Sequence, residues 1–234
     1  MERRRFLESC AVLGGTAGLA TAAAAWADSA PRPYPRARLV DVHGTPVRAS
    51  ALAADTNYLF HYPYASTPCF LLDLGRPVSA AAPLRRENGS TYGWQGGVGP
   101  GRGIVAFSAI CAHKLVYPTR EVSFIRYKAG KPTTSDARMI HCCADHSVYD
   151  PAVGGRVVSG PAPQPLAAIV LDYDAASDGL FASGTLGAEQ FDAFFAKYEF
   201  KLALEYGQGK ARLPTGERAV VRELAQYCGQ TIDC

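Results

Sequence analysis

The sequence predicts an all-β protein: an antiparallel sandwich over residues 31–186, with an inserted subdomain at about 108–166, and then a helical extension over 187–234. Three observations predict it. Short runs of alternating apolar and polar residues recur between glycine- and proline-rich turns, as half-buried strands require. A stretch dense in cysteine, histidine, glycine and proline interrupts that alternation in mid-chain. Beyond Ala188 the apolar spacing lengthens to three and four residues, the period of a helix.

Taken in order, residues 31–37 are rich in proline and arginine and read as a linker. Strands are expected at 37–42 and 57–62, and the apolar run at 70–74 predicts another. Residues 86–103 are glycine-rich and polar, which predicts a long loop. Residues 103–110 form a strand that runs into Cys111, 121–127 and 156–158 are further strands, and 167–173 with 179–182 complete the core. In the extension, Phe191, Phe194, Phe195, Tyr198 and Leu202 mark one face of a helix over 188–206, read as packing against its own domain. A second helix is expected over 217–227, with Val220, Val221 and Leu224 on one side.

With 48% hydrophobic and 19% charged residues the composition is that of a folded globular chain. The net charge of +3 includes arginines near the N-terminus, so the rest is close to neutral, and a nucleic-acid partner is not expected. No catalytic triad, phosphate loop or pair of carboxylates stands out.

Chemistry concentrates in two boxes, Cys111-Ala112-His113 and Cys143-Ala144-Asp145-His146. A C-x-H box followed by C-x-x-H offers two thiolates and two imidazoles, the set for an asymmetrically held 2Fe–2S cluster. Imidazole is neutral where thiolate is anionic, so this mixture eases reduction. Structural zinc is the competing ligand, but zinc fingers pair C-x-x-C with H-x-x-x-H, which C-x-H matches poorly. Cys142 and Cys69 read as buried thiols, and His43, His61 and His141 as structural residues.

After the boxes come Tyr149-Asp150-Pro151, the glycine pair Gly154-Gly155, the strand Arg156-Val157-Val158 and the segment Gly160-Pro161-Ala162-Pro163-Gln164-Pro165-Leu166. In this order the chain resembles the Rieske iron–sulfur proteins over most of residues 100–171. The resemblance implies one 2Fe–2S cluster per chain, with Cys111 and Cys143 on a buried iron and His113 and His146 on an outer iron at the domain tip. It makes Gly160, Pro161, Ala162 and Pro163 a proline loop over the cluster. Ser147 and Tyr149 become hydroxyls that donate to cluster and ligand sulfur and raise the potential. In the family a glycine usually separates the last histidine from that serine, whereas Ser147 follows His146 directly, so the register is open by one residue. Members from bc-type complexes carry a second cysteine in each box, joined as a disulfide. Val116 and Asp145 stand at those positions, which implies a disulfide-free subtype whose loops are held otherwise, with 121–127 a candidate brace.

The implied function is single-electron relay between a quinol-oxidising membrane complex, or a periplasmic oxidoreductase, and a cytochrome. The alternative is the small subunit of a periplasmic molybdenum oxidoreductase, resembling that of arsenite oxidase. Residues 1–30 support export: Arg3-Arg4-Arg5-Phe6-Leu7 before an alanine-rich apolar stretch resembles a twin-arginine signal. The segment is expected to be cleaved before Asp28 or kept as a loose inner-membrane anchor, which places the protein in the periplasm. In an oxidising compartment Cys228 and Cys234 are expected to form a disulfide.

Overall fold

The computed structural model describes residues 30–80, 83–130, 137–187 and 189–234. The signal or anchor predicted for 1–30, apart from Ala30, lies outside them. Among the described residues no helix is long and apolar enough to cross a membrane.

The strands are β1 (Arg32–Val40), β2 (Tyr58–His61), β3 (Pro68–Asp73), β4 (Leu84–Arg85), β5 (Thr91–Tyr92), β6 (Ile104–Ser108), β7 (Val122–Ser123) and β8 (Ile125–Lys128). They continue with β9 (Met139–Cys142), β10 (Ser147–Asp150), β11 (Arg156–Ser159), β12 (Ala168–Asp174) and β13 (Gly179–Leu186). Helix α1 (Phe191–Tyr206) follows, then β14 (Arg218–Val220), β15 (Arg222–Glu223), the short helix α2 (Leu224–Tyr227) and β16 (Gln230–Thr231). The fold is all-β with a C-terminal helix.

Eight strands form the base sheet, in the order β14-β1-β13-β12-β6-β3-β2-β15. Its two end strands, β14 and β15, are separated in the chain by Val221 alone, so the sheet rolls round on itself. A second, antiparallel sheet, β11-β10-β9-β8, is inserted between β6 and β12, which are neighbours in the base through Phe107 and Ala168.

Strand alternation sorts the side chains into two cores. On β3, Cys69 and Leu71 enter the core inside the roll, while Phe70 and Leu72 face the inserted sheet. On β6, Ile104 and Ala106 take the first direction and Val105 and Phe107 the second. The same two-residue period carries Ala109 and then Cys111 onto the face that meets the inserted sheet, whose Ile125, Tyr127, Ile140, Cys142 and Tyr149 close the core. Each large side chain buried this way contributes about 1.5 to 3 kcal/mol of transfer free energy.

Two local expectations are corrected. Residues 32–37 belong to β1 rather than to a linker, paired to β13 through Arg32 and Thr185. The helix expected over 217–227 is mostly strand: Ala219 and Val221 are buried and Val220 is exposed, a period of two that fits the edges of the base sheet. Only Leu224–Tyr227 is helical.

Helix α1 packs Phe191, Phe194, Phe195 and Leu202 with Ile110 and Tyr117, the residues that flank the first box. The Phe194 and Tyr117 rings meet edge to face, with centroids 4.9 Å apart. Gln190 Nε2 donates to the Ala112 carbonyl at 2.8 Å, and the Lys197 ammonium donates to the Lys114 carbonyl. The helix is therefore a clamp on the loop of the first box.

Candidate metal centre

The first box follows β6 in a tight loop. Cys111 N–H donates to the Val116 carbonyl at 2.9 Å and Leu115 N–H to the Cys111 carbonyl at 3.0 Å, with Leu115 at a left-handed φ of 57°. The second box is a hairpin: Cys142 pairs with Ser147 across β9 and β10, and His146 N–H donates to the Cys142 carbonyl at 2.8 Å.

Between the two loops lies a pocket of sulfur, oxygen and nitrogen. The sulfurs of Cys111 and Cys142 and a carboxylate oxygen of Asp145 lie within 4.8 Å of one another. Both cysteines are fully buried. Asp145 Oδ2 is 3.3 Å from Cys111 Sγ and 2.9 Å from His113 Nδ1, so the imidazole turns its Nδ1 inward. The His113 side chain is 35% exposed and that of Asp145 only 2%, which puts the imidazole at the rim.

The structure therefore brings together two of the four residues expected from sequence, Cys111 and His113. Beside them it sets Cys142 and Asp145, while Cys143 and His146 lie outside the pocket. On β9 the alternation points Ile140 and Cys142 into the core, and Cys143, the next residue, turns away to bond Cys234. His146 is exposed, at a left-handed φ of 60°. The sequence held a signal for this shift, since Cys142-Cys143-Ala144-Asp145 keeps the C-x-x spacing and leaves one residue before Ser147.

The expected disulfide is corrected as well. Cys234 pairs with Cys143, their Cα atoms 5.5 Å apart, while Cys228 is a buried free thiol. Cys228 ends α2 and packs in the core beside Leu224 and Tyr227, where burial pushes its thiol up to about 11. The tail beyond it runs parallel to β7, with Gln230 beside Val122 and Thr231 beside Ser123. Asp233 Oδ1 meets Arg126 at 2.6 Å and Lys128 at 3.0 Å. These two cations hold the Asp233 carboxyl down to about 2. The segment read as a candidate brace acts through β7 and β8: Ile125 pairs with Cys142, and Cys143 N–H donates to the Phe124 carbonyl at 2.6 Å.

Of the two expected hydroxyls, that of Tyr149 stands against a pocket sulfur. Tyr149 is fully buried, with its oxygen 3.4 Å from Cys111 Sγ and 3.1 Å from Ala112 N–H, which donates to it. Burial, then the neighbouring Cys111, pushes the Tyr149 phenol far up, so it stays an O–H donor toward sulfur. Ser147 Oγ instead accepts from Ala162 N–H at 3.2 Å and pins the loop Gly160, Pro161, Ala162, Pro163 over the hairpin. Gly160 has φ 89°, and a Cβ there would stand 2.5 Å from the His146 carbonyl oxygen, so the loop can close only on glycine.

The protonation balance suits metal binding. A hydrogen bond from Cys142 pulls the Cys111 thiol down to about 7 against burial, helped by Tyr149 and by the N–H groups of His113 and Lys114. Cys142 is pushed up as the donor of that pair. Burial alone raises Asp145, but bonds from Cys142, Ser147 N–H and His113 outweigh it and keep the carboxyl below its usual value. Soft sulfur donors deep in the pocket, with nitrogen and oxygen donors nearer the rim, fit an iron–sulfur group held at two distinct irons.

No family model matches the chain. Among solved structures it is similar to the soluble domain of the Rieske protein II (soxF) from Sulfolobus acidocaldarius, with 29% identity over 66% of this chain and 82% of that one, and a TM-score of 0.48. The paired loops, the Tyr149 hydroxyl beneath them and the Gly160–Pro163 loop above define a pocket of two sulfurs, a carboxylate and an imidazole.

Proposed function

We propose that the chain is an exported Rieske-type electron carrier that relays single electrons from a quinol-oxidising or periplasmic oxidoreductase to a cytochrome. The observation that carries this is the convergence of the buried Cys111 and Cys142 sulfurs from two loops, with the Tyr149 hydroxyl on one of them and the His113 imidazole at the rim. Bound there, a 2Fe–2S cluster supplies storage for one electron. Cys111 and Cys142 would hold it from below, and His113 from the exposed side.

The residues around the pocket govern that electron. Tyr149 donates toward Cys111 sulfur, a bond that strengthens when negative charge is added and so favours the reduced state. The Gly160 to Pro163 loop, tied to Ser147, shields the hairpin from water. The exposed edge of His113 is where a partner would meet the pocket. Export is supported by the arginine-led N-terminal segment and by the Cys143–Cys234 bond, which an oxidising compartment sustains.

The test is isolation of the full chain with its native metal. A visible absorption band that bleaches on reduction, with a rhombic EPR signal of low average g, is the expected result. A colourless zinc protein would overturn electron transfer. Co-isolation with a b-type haem protein would place it beside a quinol oxidase chain, and with a molybdopterin protein beside the second kind of oxidoreductase.

A further inference from the structure

We propose that Asp145, in place of a second histidine, completes the ligand set, which becomes two thiolates (Cys111, Cys142), one imidazole (His113) and one carboxylate. The inference rests on the metal-centre reading above and departs from the all-histidine outer pair that the sequence resemblance implies.

Four observations carry it. The carboxylate is already in the pocket, with Oδ2 3.3 Å from Cys111 Sγ and 2.9 Å from His113 Nδ1. Its two oxygens are divided, since Oδ1 takes the Ser147 N–H at 3.0 Å and leaves Oδ2 for the pocket. Its side chain is 2% exposed, and among the described residues its ion-pair partner is His113 alone. A buried carboxylate beside two thiols, with no lysine or arginine as counter-charge, offers a donor set that a bound cation completes. The competing histidine, His146, is exposed and sits at a left-handed φ of 60°, a position at which glycine is ordinarily favoured.

The register argument agrees. Beginning the second box at Cys142 keeps its C-x-x spacing and ends it on Asp145. A carboxylate carries one more negative charge than imidazole. The set therefore favours the oxidised cluster relative to a two-histidine site, and the midpoint potential falls.

The competing role for Asp145 is to orient His113 from outside the ligand shell, as carboxylates do for metal-bound histidines. Full-length protein carrying its metal distinguishes the two through metal content and pulsed EPR of the reduced form. Expected are one strongly coupled imidazole nitrogen in the wild type and two in Asp145→His, whose midpoint potential is higher. Asp145→Asn should lose most of its iron, whereas His146→Ala and Cys143→Ser retain iron and the wild-type nitrogen coupling. Two coupled nitrogens in the wild type, one of them lost in His146→Ala, would overturn the proposal, as would full iron retention with an unaltered spectrum in Asp145→Asn. If the wild type carries zinc and no iron, electron transfer fails on its own. The ligand assignment is then decided by zinc content, with loss in Asp145→Asn supporting it and retention overturning it.

Discussion

Cys234 is bonded to Cys143, one position beyond Cys142, and so staples the C-terminal tail to the hairpin that carries the second box. This bond holds from the side what a disulfide between the boxes would hold from within. The partners are 91 positions apart, and closing a loop of that length costs the unfolded chain about 4 to 5 kcal/mol in the chain-entropy model, of which about 2 to 4 is commonly realised. Cys234→Ser is expected to lose about 2 to 4 kcal/mol in urea unfolding. Adding a phosphine reductant should bring the wild type to the same midpoint and leave the variant unmoved. Peptide mapping that joins Cys228 to Cys234 would sink this assignment.

Tyr149→Phe tests the hydroxyl beneath the pocket. Its oxygen lies 3.4 Å from Cys111 Sγ, and the bond is stronger in the reduced state. Losing about 1 to 2 kcal/mol of that preference lowers the midpoint potential by about 40 to 90 mV for a one-electron couple. Potentiometric EPR measures it. An unchanged or raised potential would show that the phenol serves packing and the Ala112 N–H alone.

Acid stability should report on His61, away from the pocket. Burial, then the nearby Arg222 and Arg120, pushes its imidazole down to about 4, and its ring stacks at a tilt on Tyr227 with centroids 5.6 Å apart. Unfolded, the same side chain titrates near 6.5. Between those values the unfolded chain binds the proton first, so stability is complete above about pH 6.5, declines as pH falls, and levels out below about 4. The span is worth about 3 kcal/mol. His61→Gln should remove that part of the slope, and the difference between the two pH curves isolates it from acid effects at the metal centre. Parallel curves would mean that the imidazole is charged in the folded state.

The all-β class and the helix at 191–206 could be read in the sequence because each rests on a period repeated over many residues: Val105, Phe107, Ala109 and Cys111 at every second position, Phe191, Phe194 and Phe195 at helical spacing. Which of the adjacent Cys142 and Cys143 faces the pocket was not legible, since both fit a C-x-x box and only the strand direction of β9 decides it. The disulfide was missed for a related reason. Proximity in sequence favoured Cys228 with Cys234, but α2 buries Cys228 and the tail then runs along β7 to reach Cys143. The strands at 218–223 were hidden because three residues of alternation are too few to separate from a helix turn, and their partners lie far away on β1 and β2.

Helix α1 gives the remaining prediction, because its two faces differ. Phe194 is fully buried against Tyr117, whereas Phe200 and Leu204 are 77% and 73% exposed. Phe194→Ala removes a ring from a packed cluster and is expected to cost about 3 to 5 kcal/mol. Tyr117 follows the first box, so the cavity also frees the loop of Cys111 and His113, and iron should be lost faster to a chelator than from the wild type. Phe200→Ser and Leu204→Ser alter only solvated surface and should stay within about 0.5 kcal/mol, with wild-type iron retention. Urea unfolding and chelator kinetics on the three variants decide it. Rapid iron loss in the surface pair, or none in Phe194→Ala, would mean that α1 is not what holds the first box.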